Sequence, residues 1–169
     1  MSDEYKEAYA VHGARIAEVK AKLRAAFPPG KALDPAKITS TPNDRDEGQK
    51  IYNALRGRTW DAIPLEALER NSPSFLTPEG YCYYLPAWLT AGLDFENLDV
   101  RDRALAALGP TRTSGSWFVE RAGKLSAGQR KAILELVEFI RSVPDYDYSE
   151  SLPVMQDSSY WSAGAKVGK

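Results

Sequence analysis

The N-terminal stretch constrains the fold most, because its apolar positions repeat with the period of an α-helix. Between residues 3 and 26, six side chains of one predicted face are separated by spacings of 4, 3, 4, 3 and 4 residues. They are Tyr5, Tyr9, His12, Ile16, Val19 and Leu23. Side chains three and four apart share one helix face. Segments in which single apolar and polar residues alternate, which is typical of half-buried strands, are almost absent. The sequence therefore predicts an all-α fold.

Start and stop signals divide the chain into about six predicted helices. Thr41 before Pro42 is typical of an N-cap and a first helical position. Ser126 and Gln129 have the spacing of a capping box. The predicted helices cover about residues 3–26, 42–56, 64–70, 78–93, 99–108 and 127–142. We expect one further helical turn within residues 111–124 and a short turn near residues 157–162.

One of these helices contains a proline. Thr77 is its predicted N-cap and Pro78 its first residue, whereas Pro86 lies well inside the apolar pattern. Proline lacks the backbone N–H that would donate to the carbonyl four residues earlier, here that of Cys82. We therefore predict a helix that is kinked or broken at Pro86.

Length and charge describe a single compact domain without a strong electrostatic field. A chain of 169 residues corresponds to one domain at about 150 residues each. Twenty-two basic and 23 acidic side chains leave a net charge of −1, which does not favour binding to nucleic acid or to an anionic membrane. The sequence shows no signal peptide and no apolar run of about 18 residues. We expect a cytoplasmic protein.

The residue types that carry most catalytic and metal chemistry are scarce. Cys82 and His12 are the only cysteine and the only histidine, so neither a disulfide within the chain nor a cysteine–histidine zinc site is expected. Cys82 lies among tyrosines on a predicted apolar helix, where it is expected to pack as a small hydrophobe. The sequence contains no glycine-rich phosphate-binding motif. We therefore predict no catalytic residue, metal or cofactor.

The C-terminal segment, residues 145–169, differs in composition from the helical region at residues 1–144. Asp145, Tyr146, Asp147 and Tyr148 alternate acids with tyrosines, and residues 145–157 contain four acids and no lysine or arginine. Acids steer a basic partner, and tyrosines supply contact area once buried. The segment follows a helix end and is expected to project. The simpler interpretation is an extended segment that wraps around its own domain.

Tyr83 is a second candidate for a partner contact. Tyr81, Tyr84 and Trp88 are spaced three and four apart and share one helix face, whereas Tyr83 points elsewhere. Tyrosine is enriched at protein interfaces. The alternative interpretation is that the whole aromatic block packs in the core.

The block FLTPEGYCYYLPAWL at residues 75–89 resembles a pattern found in an uncharacterised family of small bacterial proteins, F-L-T-P-E-x-[FY]-x-Y-Y-L-P-A-[FY]-L. The segment ALRGRTWDAIPLEAL upstream and the helix opening LSAGQRKAI downstream are also similar to that family. The resemblance covers residues 38–142. It implies no established activity and no catalytic residues.

Three functional hypotheses follow. The leading one is a non-enzymatic protein-binding protein, such as an immunity or antitoxin-like inhibitor, whose partner has a basic surface. The second is an enzyme with an unrecognised site of acids or tyrosines. The third is an oligomerisation module that uses the apolar stripe of the first helix, because its spacing is close to a heptad.

Overall fold

The computed structural model describes residues 2–43, 45–110 and 115–162, and this part of the chain contains eight α-helices and no strand. The all-α prediction is therefore confirmed. The helices are α1 (Asp3–Ala26), α2 (Glu47–Leu55), α3 (Leu65–Arg70), α4 (Pro78–Ala91), α5 (Leu98–Ala106), α6 (Gly115–Ala122), α7 (Ala127–Ser142) and α8 (Pro153–Gln156). The two beyond the expected six are α6 and α8.

Helix α1 begins and ends where the periodicity predicts. The Ser2 hydroxyl accepts a hydrogen bond from the Tyr5 backbone N–H, and the Phe27 N–H donates to the Leu23 carbonyl. Ile16 and Leu23 are buried against the core, and α1 packs mainly along α7. The cap, the stripe and the polar outer face agree, so local sequence is enough to define this helix.

Helix α2 starts at Glu47 and not at Pro42, which corrects the predicted start. The described residues between Thr41 and Asp46 form turns, and the Thr41 N–H donates to the Thr39 hydroxyl at 3.3 Å. The chain folds back on itself here, so that the Thr41 carbonyl and hydroxyl occupy the space where a Cβ on Gly48 would lie. This close approach, which needs a glycine, overrides the N-cap signal of Thr41.

Helix α4 lies at the centre of the molecule and contacts α1, α3, α5 and α6. The Thr77 hydroxyl accepts from the Gly80 N–H at 3.0 Å, as an N-cap should. The helix continues through Pro86 to Ala91, so the proline does not break it. Pro86 cannot donate to the Cys82 carbonyl, and this is the local condition for a bend.

Aromatic side chains of α4 join their polar tips to neighbouring backbone. The Tyr81 hydroxyl donates to the Ala107 carbonyl at 2.8 Å, and the Tyr84 hydroxyl donates to the Arg58 carbonyl at 3.1 Å. The Trp88 indole N–H donates to the Leu68 carbonyl at 3.1 Å. All three side chains are fully buried. These three hydrogen bonds connect α4 to the regions around α5, α2 and α3, and they satisfy the buried polar atoms of the three aromatic side chains.

Helices α6 and α7 form an adjoining pair. The single turn expected within residues 111–124 is the longer helix α6, and residues 111–114 lie outside the described chain. Phe118 and Ala122 on α6 are buried. Helix α7 carries the capping box predicted for Ser126 and Gln129, with both reciprocal hydrogen bonds present.

The described part of the C-terminal segment, residues 145–162, packs on the helices instead of projecting. Tyr146, Val154 and Trp161 are buried, and the Trp161 indole N–H donates to the Leu108 carbonyl at 2.9 Å. The Arg141 guanidinium donates to the Val154 carbonyl at 2.6 Å. Because its aromatic and aliphatic side chains enter the core, this part of the segment lies against α5 and α7. Residues 163–169 lie outside the described chain.

Candidate functional site

Tyr146 anchors the candidate site from inside the core. Only 5% of its surface is exposed, and its hydroxyl donates to the Leu93 carbonyl at 2.6 Å. Its ring centroid lies 4.6 Å from that of Phe95 and 5.7 Å from that of Phe139. Burial raises the pKa of the phenol far above its ordinary value. This side chain therefore positions the residues on either side of it.

The residues on either side of Tyr146 face solvent. Asp145 and Asp147 are exposed and Tyr148 is half-buried. The Asp145 carboxylate lies 3.1 Å from Nε2 of His12 on α1. The buried ring between the two aspartates therefore leaves both carboxylates at the surface, with that of Asp145 next to α1.

A second pair of acids meets the same stretch of α1. The Tyr9 hydroxyl lies 2.8 Å from a Glu96 carboxylate oxygen and 3.2 Å from one of Asp94. Asp94 also pairs with Lys20 at 2.6 Å. The Phe95 N–H donates to the Tyr9 hydroxyl at 3.1 Å. Burial and these acceptors raise the pKa of Tyr9, so the phenol stays protonated and can donate to a carboxylate.

These contacts bring the carboxylates of Asp94, Glu96 and Asp145 to one side of the molecule, and the exposed Asp147 follows Tyr146 on the same segment. Tyr9 and His12 are one turn apart on α1, and the carbonyl that holds Tyr146 belongs to the residue before Asp94. We call this surface the acidic face. It consists of Asp94, Glu96, Asp145 and Asp147.

A buried arginine lies beneath the acidic face. Arg101 on α5 is 1% exposed, and its guanidinium donates to the Phe95 carbonyl at 3.0 Å. Burial lowers the pKa of this guanidinium, while the nearby phenol and carboxylate of Tyr146 and Asp147 partly oppose that effect. The positive charge below the surface complements the carboxylates above it.

Tyr83 lies elsewhere. Its hydroxyl donates to the Lys31 carbonyl at 2.8 Å, and its ring packs against that of Tyr84 with the centroids 4.7 Å apart. Its surroundings are the chain after α1 and the turn at Trp60–Ala62. The five residues predicted from the sequence therefore form two groups, residues 145–148 and Tyr83.

The structure does not bring the single cysteine and the single histidine together. The Cys82 thiol faces the Arg121 carbonyl at 3.6 Å, whereas His12 contacts Asp145. Burial raises the pKa of the Cys82 thiol to about 11, which opposes formation of a nucleophilic thiolate. In the described ranges, no three His, Cys, Asp or Glu side chains cluster as a metal site would require.

A family model matches residues 17–165 of the chain. The chain belongs to a family of unknown function, DUF6714. The DUF6714 match extends beyond the resemblance at residues 38–142, into α1 and through the described part of the C-terminal segment. Tyr9 and His12 lie on α1 before residue 17 and are outside that match, whereas Asp94, Glu96 and residues 145–148 lie inside it.

No curated protein and no solved structure is similar to the chain. Over the described residues, no helix is long and apolar enough to span a bilayer.

Sequence reasoning missed Tyr9, Asp94 and Glu96 as members of one site. Tyr9 was a position on an apolar stripe, and Glu96 lies 87 residues away along the chain. A tyrosine among aliphatic stripe residues is a weak signal, because its hydroxyl needs a partner when it is partly buried. Nothing in the sequence identifies which acid provides that partner.

Proposed function

We propose that this member of the DUF6714 family is a cytoplasmic, non-catalytic protein-binding protein whose acidic face binds a basic surface of a partner. The observation that carries the proposal is the anchoring of Tyr146, which leaves Asp145 and Asp147 at the surface, with Asp145 beside α1. A rigid base lowers the conformational entropy lost on binding.

Charge and residue type support a basic partner. The acidic face carries four carboxylates, of which Asp94 pairs with Lys20 and Asp145 contacts His12. Glu96 and Asp147 are exposed. Carboxylates raise the rate of association with a basic surface, and the half-buried Tyr148 offers aromatic contact area next to them.

The finer form of the proposal is an immunity or antitoxin-like inhibitor. An inhibitor of a toxin with a basic working surface needs a complementary acidic face, because complementary charge makes association fast and specific. A toxin-like reading frame adjacent to the gene, whose purified product binds this chain, would support this form. A neighbouring toxin that does not bind would contradict it.

The acidic face is tested with a fluorescent oligolysine peptide and the full chain. The double variant Asp145→Asn/Asp147→Asn should weaken binding by about tenfold and flatten its dependence on salt. Tyr148→Ala should weaken binding without changing the salt dependence. Tyr146 stays unchanged in these variants, so that loss of folding does not imitate loss of binding.

The matched control removes two exposed carboxylates elsewhere. Glu79 and Glu120 lie on α4 and α6, away from the acidic face. Glu79→Gln/Glu120→Gln makes the same change in net charge and should bind the peptide like the unchanged chain. Equal weakening by the two double variants would attribute binding to net charge alone and overturn the proposal. So would failure of the unchanged chain to bind the peptide.

Tyr83 remains a separate predicted contact. It is half-buried, and its hydroxyl is already bonded to the Lys31 carbonyl. Tyr83→Phe should leave oligolysine binding unchanged, because Tyr83 lies outside the acidic face. If Tyr83→Phe weakened binding as much as Asp145→Asn/Asp147→Asn, the binding surface would lie around α4 instead.

A further inference from the structure

A cleft of about 770 Å³ lies between α2, α3 and α5, and its lining residues differ from those of the acidic face. Its volume falls in the range of ligand-binding clefts, about 300–1,000 Å³. Ala54 on α2 and Ala67 on α3 line it with small side chains, which leave room between the helices. Asn71, Arg70 and Arg103 also line the cleft.

Asn71 provides a buried acceptor that has no donor. The residue is 5% exposed, and its Nδ2 donates to the Ala67 carbonyl at 2.7 Å. That bond determines the orientation of the side-chain amide, so the other amide atom is Oδ1. Oδ1 is fully buried and has no hydrogen-bond partner. An unsatisfied buried acceptor is unfavourable, and a ligand that donates a hydrogen bond to it would remove that cost.

Arg103 provides the complementary buried donor. Its Nε–H is buried and has no hydrogen-bond partner, although the residue lines the same cleft. Lys50 and Arg70 also line the cleft, but Lys50 pairs with Glu47 at 2.9 Å and Arg70 pairs with Glu66 at 2.8 Å. Arg103 therefore offers the unused donor, and a ligand group that accepts hydrogen bonds and carries negative charge would complement it.

We propose that this cleft binds the carboxy-terminal residue of a peptide. The amide N–H of that residue donates to Asn71 Oδ1, and its carboxylate accepts from Arg103 Nε–H. Arg70 and Lys50, which pair with Glu66 and Glu47, also line the cleft, and Ala54 and Ala67 leave space for the terminal side chain. A peptide end has both groups that the two unpaired atoms require, an N–H donor and an anionic acceptor on the same residue.

This proposal is independent of the acidic face, because it uses other residues and a ligand of opposite charge. An N-acylated amino acid has the same donor and acceptor as a peptide end. We commit to the peptide end, because a cleft of about 770 Å³ is larger than one acylated residue requires.

The test titrates the full chain with N-acetyl-trialanine and follows binding by NMR chemical-shift changes. The peptide should bind, and the same peptide with an amidated C-terminus should bind at least about tenfold more weakly, because charge-assisted hydrogen bonds to the carboxylate are lost. Equal affinity of the two forms, or binding of neither, would overturn the proposal. Sodium acetate competing as well as the peptide would show binding of an anion only, and N-acetylalanine binding as tightly would exclude a peptide-specific cleft.

Variants assign the binding to the cleft. Arg103→Gln should weaken N-acetyl-trialanine binding by about tenfold. Arg58→Gln is the matched control, because Arg58 is exposed and outside the lining, and it should bind normally. Asn71→Ala should abolish discrimination between N-acetyl-trialanine and its depsipeptide analogue, in which an ester oxygen replaces the terminal N–H. If Asn71→Ala does not fold, the Arg103 and Arg58 pair decides, and equal affinities of that pair would overturn the proposal.

Discussion

The guanidinium of Arg101 stacks over the ring of Tyr146, with its central carbon 4.7 Å from the ring centroid. Both side chains are buried, and Arg101 also donates to the carbonyl of Phe95, whose ring packs on Tyr146. A desolvated cation over an aromatic face is more stabilising than an exposed one. This contact links α5 to the C-terminal segment and makes Tyr146 a structural residue.

Replacing Tyr146 should therefore lower stability in proportion to what is removed. Tyr146→Phe keeps the ring but leaves the Leu93 carbonyl without its donor, and should lower the free energy of unfolding by about 1–3 kcal/mol. Tyr146→Ala removes the ring as well and should cost about 3–5 kcal/mol. Urea denaturation measures both changes. A loss below about 1 kcal/mol for Tyr146→Ala would contradict the anchoring role.

Two helical glycines should respond to alanine in opposite directions. A Cβ on Gly13 in α1 meets no atom within 4 Å, so Gly13→Ala should raise the free energy of unfolding by about 0.5–1 kcal/mol. A Cβ on Gly48 in α2 would overlap the carbonyl and hydroxyl of Thr41, so Gly48→Ala should lower it by about 1–3 kcal/mol. Thermal and urea denaturation of the two variants test the close approach that sets the start of α2. The same sign of change in both would contradict it.

The buried thiol should make stability decrease in alkaline solution. The pKa of Cys82 is about 11 in the folded chain, against an ordinary value of 9.0. Above pH 9 the unfolded chain loses the proton first, so the free energy of unfolding should fall as the pH rises from about 9 to about 11. Below pH 9 Cys82 should contribute no pH dependence. Cys82→Ala should have a flatter stability profile across that range, and an unchanged profile would contradict the shift.

The proline inside α4 should not lower the stability of the folded chain. Pro86 is buried, and α4 packs on four other helices along its length. Proline costs about 3 kcal/mol in a helix interior, yet Pro86→Ala should not raise the free energy of unfolding. The ring fills buried space, and the neighbours are packed on the helix as the proline shapes it. A gain above about 1 kcal/mol would show that the fold does not need the proline.

Local sequence predicted the helices whose ends are set by adjacent residues. Ser126 and Gln129 form their capping box between neighbours on the chain, and Thr77 caps α4 through the N–H of Gly80. These bonds need only the residues that carry them, so the sequence pattern was sufficient. The predicted start of α2 was wrong, because Thr41 packs against Gly48 and does not cap the helix.

The candidate site could be predicted only in part. The alternation of acids and tyrosines at residues 145–148 drew attention to the segment, but the pattern did not distinguish the buried tyrosine from the exposed aspartates. Burial of Tyr146 depends on Leu93, Phe95 and Phe139, which approach from separate elements. An extended segment has no fixed period, so the sequence alone does not determine which of its side chains face the core.

The amino-acid sequence by itself determined the all-α class and most of the helix ends. Hydrophobic periodicity and end-capping act between residues a few positions apart, where no long loop has to be closed to bring them together. Tertiary structure decided that Tyr9 meets Glu96, that Tyr146 enters the core and that Asn71 and Arg103 share a cleft. Such contacts join residues far apart in the chain, and they form only when the packing of several helices at once offsets the entropy of closing long loops.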